Sequence, residues 1–311
     1  EKSPVNDAFM LVADGAIRSG KAEKLSARLY TPDGYKTMGE IKIGDYVFNR
    51  VGKPVKVVGV FPQGKLDVYE VEFHDGSKTT CCSSHLWSYT TRKCVSNENK
   101  TMFTSTLGEI MQDLERFKDR KHMNQRAGKY RFPLNGCVEF NSKEVKIDPY
   151  LLGLLIGDGC FSGGRGITFT KDEDVLHKYI ENILPQYGVK YIYHPRTETH
   201  CAVGHLGNGG NRQKTTLRIL LEEYGLYGHK SSTKFIPVDY KYNSKEVRLK
   251  MLAGLLNTDG SVHVKNRPSI EFCSVSKQLL GDVAEIARSL GLFVNTDIKP
   301  DIRENKTYNA C

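Results

Sequence analysis

Apolar and polar positions along the chain change rhythm once, near residue 150. Upstream of it, short runs predict strands at 8–14, 28–30, 35–38 and 45–49, and alternating runs predict strands at 55–61 and 68–73. Pro-Asp-Gly at 32–34 and Asp75-Gly76 supply turn signals between them. The stretch 25–90 therefore reads as β-rich. Residues 104–119 predict a helix, and a polar, basic stretch over 119–129 leads into 130–133.

From Leu151 onward the pattern becomes mixed α and β, and it repeats. Residues 151–159 read LLGLLIGDG and residues 252–260 read LAGLLNTDG. After the first nonapeptide come a predicted strand at 167–170, a helix at 172–184, Gly188 and a strand at 189–193. After the second come a strand at 270–273, a helix at 277–290, Gly291 and a strand at 293–296. Asp158 precedes Ile167 by 9 residues and Gly188 by 30, whereas Asp259 precedes Ile270 by 11 and Gly291 by 32. Spacing matched over whole units marks an internal duplication.

Composition narrows the class. The 311 residues suffice for two domains. A 39% apolar and 26% charged content describes a soluble globular chain. The longest apolar run, around 151–156, falls far short of the roughly 20 residues that span a bilayer. No secretory signal is visible. The net charge of +9 favours a polyanionic partner only weakly. Eight cysteines without CxxC spacing form neither a zinc pattern nor a disulfide framework, and they are read as reduced thiols. Both ends are read as cut: the chain starts at Glu1 without Met and stops at Cys311 inside its second repeat.

The nonapeptides carry the chemistry. Gly153 and Gly157 share a helix face, as do Gly254 and Thr258, and such small residues let two helices approach closely. Asp158 and Asp259 then fall at the shared end. Two close carboxylates repel unless cations neutralise them, and divalent metals do so in phosphodiester cleavage. A core helix ending in Asp with a Gly cap explains one copy as well; two copies in a matched repeat favour the functional reading. On these residues the chain resembles the LAGLIDADG (DOD-type) homing endonucleases. The resemblance implies Mg2+ ligation by Asp158 and Asp259, ββ saddles on double-stranded DNA, and strand cleavage. Lys234, in KFIP at 234–237, resembles the K-x-I-P lysine of that family near the active site. It would stabilise charge at the scissile phosphate, and a surface lysine before a Pro-capped helix accounts for it equally.

The upstream β-rich segment resembles the Hint splicing domain of inteins. Residues 22–30 followed by TPDGYKTMGEIKIGDYVF are similar to the N-terminal intein block, and DGSKTTCCSSHLW at 75–87 to the block with the essential histidine. The match implies a junction at Lys21–Ala22, with His85 polarising that peptide bond. Two positions depart from the pattern. Ala22 has no nucleophilic atom, and Cys82 stands where Thr is usual three residues before the histidine. A variant intein class places a Trp two residues after the histidine, where Trp87 stands, and uses an internal Cys; a core Trp explains Trp87 as well. A Cys→Ala change at Ala22 is a third reading.

Residues 15–21, GAIRSGK, match the phosphate-cradling G-x-x-x-x-G-K with Gly15, Gly20 and Lys21. The motif then breaks at Ala22, where Ser or Thr should follow. It resembles the Walker A loop of phage terminase large subunits, interrupted by the intein and inactive as it stands. The expected fold is an incomplete β-rich Hint domain plus an α+β endonuclease of two αββαββα-type repeats, the second truncated. The expected layout is a host stub over 1–21, the splicing part over 22–105, a connecting segment over 106–145, and endonuclease repeats over 146–245 and 246–311. Self-splicing coupled to homing cleavage is the leading function. A LAGLIDADG-type DNA binder without nuclease activity and a P-loop ATPase fragment are the alternatives. The implied setting is a monomer in the cytoplasm of a bacterial or phage-infected cell. Its implied partner is double-stranded DNA of the uninterrupted host allele, with no membrane.

Overall fold

A computed structural model of the chain describes residues 2–13, 21–91, 102–116, 129–161, 167–169, 174–193, 201–205, 214–264, 268–301 and 306–310. The chain divides into two compact units. One comprises Glu1–Phe140 with Gly291–Phe293, the other Asn141–Leu290 with Val294–Cys311.

The first unit begins with β1 (Lys2–Ala13), β2 (Lys21–Lys24), a hairpin of β3 (Arg28–Thr31) and β4 (Gly34–Thr37), β5 (Tyr46–Phe48), β6 (Pro54–Glu72) and β7 (Lys78–Cys82). Its main sheet has the order β1-β2-β7-β6-β5, and β1 also pairs with β6. Strands β1, β2, β7 and β6 therefore form a closed circuit. Met38, Ile41, Val47 and Val57 form its apolar core.

Two strands expected at 55–61 and 68–73 are one continuous strand, β6, of 19 residues. Val57 and Val68 are both buried although one number is odd and the other even. Register against β1 shifts twice between them, with Val58 extra between Val57 and Gly59 and Gln63 extra between Pro62 and Gly64. Gly59 is buried like Val57, so the change of face falls at the bulge of Gln63. One extra residue reverses which face each later side chain occupies.

β8 (Leu86–Thr91), β9 (Phe103–Thr106), α1 (Leu107–Glu115) and β10 (Tyr130–Arg131) complete the unit, with sheet order β10-β8-β9. The helix expected from Thr104 starts at Leu107. Thr106 caps it, accepting from the Glu109 N–H at 3.2 Å while the Glu109 carboxylate accepts from the Thr106 N–H at 2.7 Å. This capping box sets the start, and the residues before it pair with β8. The remainder of that expected helix, 117–119, lies outside the described residues, as does most of the basic stretch that follows.

The second unit is built twice over. Its first half runs α2 (Pro149–Asp158), β11 (Gly159–Cys160), β12 (Ile167–Phe169), α3 (Asp174–Ile183), β13 (Val189–Tyr193), β14 (Cys201–His205) and α4 (Thr216–Glu223). After α5 (Val238–Lys241) the second half runs α6 (Lys245–Asp259), β15 (Gly260–His263), β16 (Ser269–Ser274), α7 (Lys277–Ser289), β17 (Asp297–Asp301) and β18 (Lys306–Ala310). The sheets have the same order, β11-β12-β14-β13 and β15-β16-β18-β17. The closing glycine of each motif pairs with a buried phenylalanine, Gly159 with Phe169 and Gly260 with Phe272. Among the described residues α4 has no counterpart in the second half.

The strand expected at 293–296 is not formed. Residues 292–296 have no regular structure and Phe293 is exposed. The strand starts at Asp297, where pairing with Ala310 begins. Apolar alternation favours a strand only where a partner supplies the ladder.

Helix α2 is apolar all round because it lies inside the core, where Leu151–Ile156 are buried among Leu176, Ile180, Leu217 and Leu221. Its start is set by Asp148, whose Oδ1 accepts from the Tyr150 and Leu151 N–H groups at 2.9 and 3.1 Å, followed by Pro149.

Candidate active site

Helices α2 and α6 meet backbone to backbone. A Cβ on Gly153 would lie 2.6 Å from the Met251 carbonyl oxygen and 3.0 Å from Gly254 Cα. A Cβ on Gly254 would lie 3.0 Å from Gly153 Cα and from the Leu154 nitrogen. No larger side chain fits at either place without parting the helices. One turn further on, Gly157 faces Thr258, whose hydroxyl donates to its own helix at the Leu255 carbonyl, 2.8 Å away. Asn257 donates to the Tyr150 hydroxyl at 2.6 Å and ties the helices from the side.

This packing brings the two helix ends together, with Asp158 last in α2 and Asp259 last in α6. Asp158 is half-buried and Asp259 is exposed. Lys234 stands with them. Burial pushes its ammonium down to about 8, while Asp259, then Asp158, then Cys160 hold it up, so both carboxylates act on one cation. Lys234 is 4% exposed. Its Nζ donates to the carbonyls of Ile156 at 2.7 Å, Gly157 at 3.0 Å and Gly159 at 2.6 Å. An ammonium has three protons, and three carbonyls at the end of α2 take them.

The site is strongly negative apart from this lysine. The C-terminus of α6 adds the partial negative charge of its last carbonyls to the two carboxylates, while at the end of α2 the carbonyls of Ile156 and Gly157 are taken by the Lys234 ammonium. Its donors are all oxygen, the hard set that suits Mg2+. Among the described residues no group of three or more His, Cys, Asp or Glu is placed to hold a metal ion. A two-carboxylate site still fits Mg2+, which commonly takes one or two carboxylates and completes its shell with water and substrate phosphates.

Residues 246–310 match the family described as LAGLIDADG-like domain. The chain carries a LAGLIDADG-like domain. The matched stretch contains the second motif with Asp259, and the first half is tied to it by the shared sheet order. Over 294 residues, 90% of its length, the chain is 30% identical to replicative DNA helicase DnaB of Mycobacterium intracellulare. The alignment takes up 44% of that protein, so the chain spans less than half the length of this relative. Among the described residues no helix is long and apolar enough to cross a membrane.

The residues singled out upstream lie in the first unit. His85 is 5% exposed, and its ring lies 5.3 Å from that of Trp87. The His85 N–H donates to the Cys82 carbonyl at 3.1 Å, and its own carbonyl accepts from the Leu107 N–H at 2.9 Å. Cys82 is buried, with its Sγ 3.0 Å from the Ser84 hydroxyl. Trp87 packs against Phe132 at 5.0 Å and Phe73 at 5.6 Å. Lys21 and Ala22 lie in β2, where Glu23 stands opposite Cys81 on β7. The strand of the expected junction thus pairs with the strand that leads to His85. Gly15 and Gly20 lie outside the described residues.

Sequence reasoning missed Ser276 and Asp282, both buried. Ser276 accepts from the Leu279 N–H at 3.1 Å at the start of α7 and donates to the Lys234 carbonyl at 2.6 Å. Asp282 accepts from the Ile236 N–H at 2.9 Å and from Lys241 at 2.8 Å. The serine had a local signal, a hydroxyl residue before an apolar periodic run. The aspartate had none, because the amide it receives lies 46 residues away.

Proposed function

We propose that the second unit is a site-specific DNA endonuclease of the homing type, with Asp158 and Asp259 as its metal-ligating carboxylates. The observation that carries this reading is the glycine-to-glycine packing of α2 and α6, which sets both carboxylates beside one ammonium. Mg2+, when bound, would neutralise the carboxylates and supply a Lewis acid and an activated water at a scissile phosphate. Asp158 and Asp259 would hold it from two helix ends. Lys234 holds the end of α2 in place and contributes positive charge where phosphate would approach.

The test is cleavage of a plasmid carrying the host gene without the segment from Ala22 onward. The chain is expected to linearise it in Mg2+, and Asp158→Asn to abolish cutting while leaving DNA retention in a gel intact. Unchanged cutting by Asp158→Asn sinks the metal role. Cutting by neither protein, with specific retention by both, favours a DNA binder without nuclease activity.

We further propose that the first unit belongs to an intein splicing domain with its upstream junction at Lys21–Ala22. The pairing of β2 with β7 and the burial of His85 support this. The DnaB relative aligns through this region as well as the second unit, which is compatible with an element carried in a replicative helicase gene. In the gene with its flanking host sequence, His85→Ala is expected to leave an unspliced precursor. Joined host protein from that variant refutes the assignment.

A further inference from the structure

The segment Lys234–Pro237 joins the halves of the second unit in an unexpected sense. Its side chain serves the first half and its backbone is held by the second. Lys234 Nζ donates to carbonyls on either side of Asp158, that of Gly157 in α2 and that of Gly159 at the start of β11. The Lys234 carbonyl accepts from Ser276 and the Ile236 N–H donates to Asp282, and both partners lie on or just before α7 of the second half. Lys241 and Gln278, at 2.8 and 3.0 Å from Asp282 Oδ1, hold that carboxylate.

We propose that Lys234 is a positioning residue for Asp158, and that helix α7 of the second half, through Ser276 and Asp282, sets the lysine in place. Each proton of the ammonium has a carbonyl partner, so the lysine acts by fixing the end of α2 rather than by hydrogen-bonding a phosphate. The carboxylate of the first motif is thereby aligned by the second repeat. This rests on the endonuclease reading for what Asp158 does, though not for how it is held.

The test uses the full chain with Mn2+ as the probe. Binding followed by electron paramagnetic resonance is compared in the natural chain, Asp158→Asn, Ser276→Ala, Ser276→Thr and Thr215→Ala. Thr215 caps α4 by accepting from the Arg218 N–H and controls for the loss of a helix cap alone. Ser276→Ala, which acts one step further out than a direct partner of a ligand, is expected to weaken Mn2+ binding by up to about 10-fold, the lower end of the effect of losing such a partner. Ser276→Thr should restore it and Thr215→Ala should leave it unchanged. Natural-strength binding in Ser276→Ala, with Asp158→Asn impaired, overturns the positioning role while leaving the endonuclease reading intact. If Asp158→Asn binds Mn2+ like the natural chain, the metal reading fails. The 15N signal of the Lys234 ammonium then decides the positioning claim. Faster proton exchange in Ser276→Ala but not in Thr215→Ala supports it, and equal exchange overturns it.

Discussion

The fit of Gly157 against Thr258 can be weighed by a double-mutant cycle. A Cβ on Gly157 would lie 2.7 Å from Thr258 Cβ and 3.2 Å from its Cγ2, and closer still to Oγ1. Rotation about χ1 moves Oγ1 and Cγ2 but leaves Cβ in place, so no rotamer of the threonine relieves the overlap. Carbon atoms sit comfortably at roughly 3.5–4.0 Å, so the helix ends must part by about 1 Å. Overpacking of this kind costs about 1–3 kcal/mol, and alanine in place of glycine inside a helix contributes about 1 kcal/mol in the other direction. Gly157→Ala alone should therefore lose up to about 2 kcal/mol. Thr258→Gly alone loses a buried methyl and some helix propensity, about 1–2 kcal/mol. In the double variant the alanine methyl takes the space the threonine vacates, and the two losses should fall short of additivity by about 1–2 kcal/mol. Urea unfolding followed by far-UV circular dichroism reads the helices, which among the described residues lie mostly in the second unit. Fluorescence of Trp87, the single tryptophan, reports the first unit and should not shift. Additivity within about 0.5 kcal/mol would refute the packing argument.

Two further outcomes follow from the same pair of helices. Gly254→Ala sets a Cβ against backbone atoms of Gly153 and Leu154, which cannot rotate away; with the overpacking cost at its upper end and the same helix gain set against it, urea unfolding should show a loss of about 2 kcal/mol, and a loss smaller than that of Gly157→Ala would contradict it. Burial lowers Lys234 from its usual 10.5 to about 8. Between these values the unfolded chain binds the proton and the folded chain has released it, so this group makes stability rise with pH across that window. Relative to Lys234→Met, the natural chain should gain stability from pH 8 to pH 10 in chemical unfolding, and a flat difference would refute the shift.

The architecture of the second unit was largely legible because its signals are local and repeated. Apolar helices that end in Asp-Gly, followed by strand and helix at matched spacing, stand out in LLGLLIGDG and LAGLLNTDG without any partner being known. The places of Asp158 and Asp259 at the ends of the two motif helices were legible for the same reason. What escaped depends on contacts distant in sequence. The bulge at Gln63 leaves two alternating runs that look like separate strands, and only the pairing with β1 shows them to be one. The failed strand at 293–296 has suitable side chains and no ladder. Lys234 stands out by its K-x-I-P surroundings, but its attachment to two carbonyls of α2 and one of β11, 75 to 78 residues away, has no sequence signature. Ser276 and Asp282 bond the backbone of the Lys234–Pro237 segment from 42 and 46 residues away, which has no sequence signature either.

The closed circuit of β1, β2, β7 and β6 has a consequence for any cut between Lys21 and Ala22. β1 lies wholly upstream of that bond, yet it pairs with β6 from Lys2 to Ala13 and with β2 from Ala8 to Leu11. After scission it would remain only as a noncovalent strand, held by its ladders. Its departure would bare two open edges, on β2 and on the long β6, with their N–H and C=O groups unpaired. Such edges recruit new strands. The freed segment and the body it leaves are thus complementary in backbone hydrogen bonding, and a synthetic peptide of residues 2–13 should compete for the same strand edges.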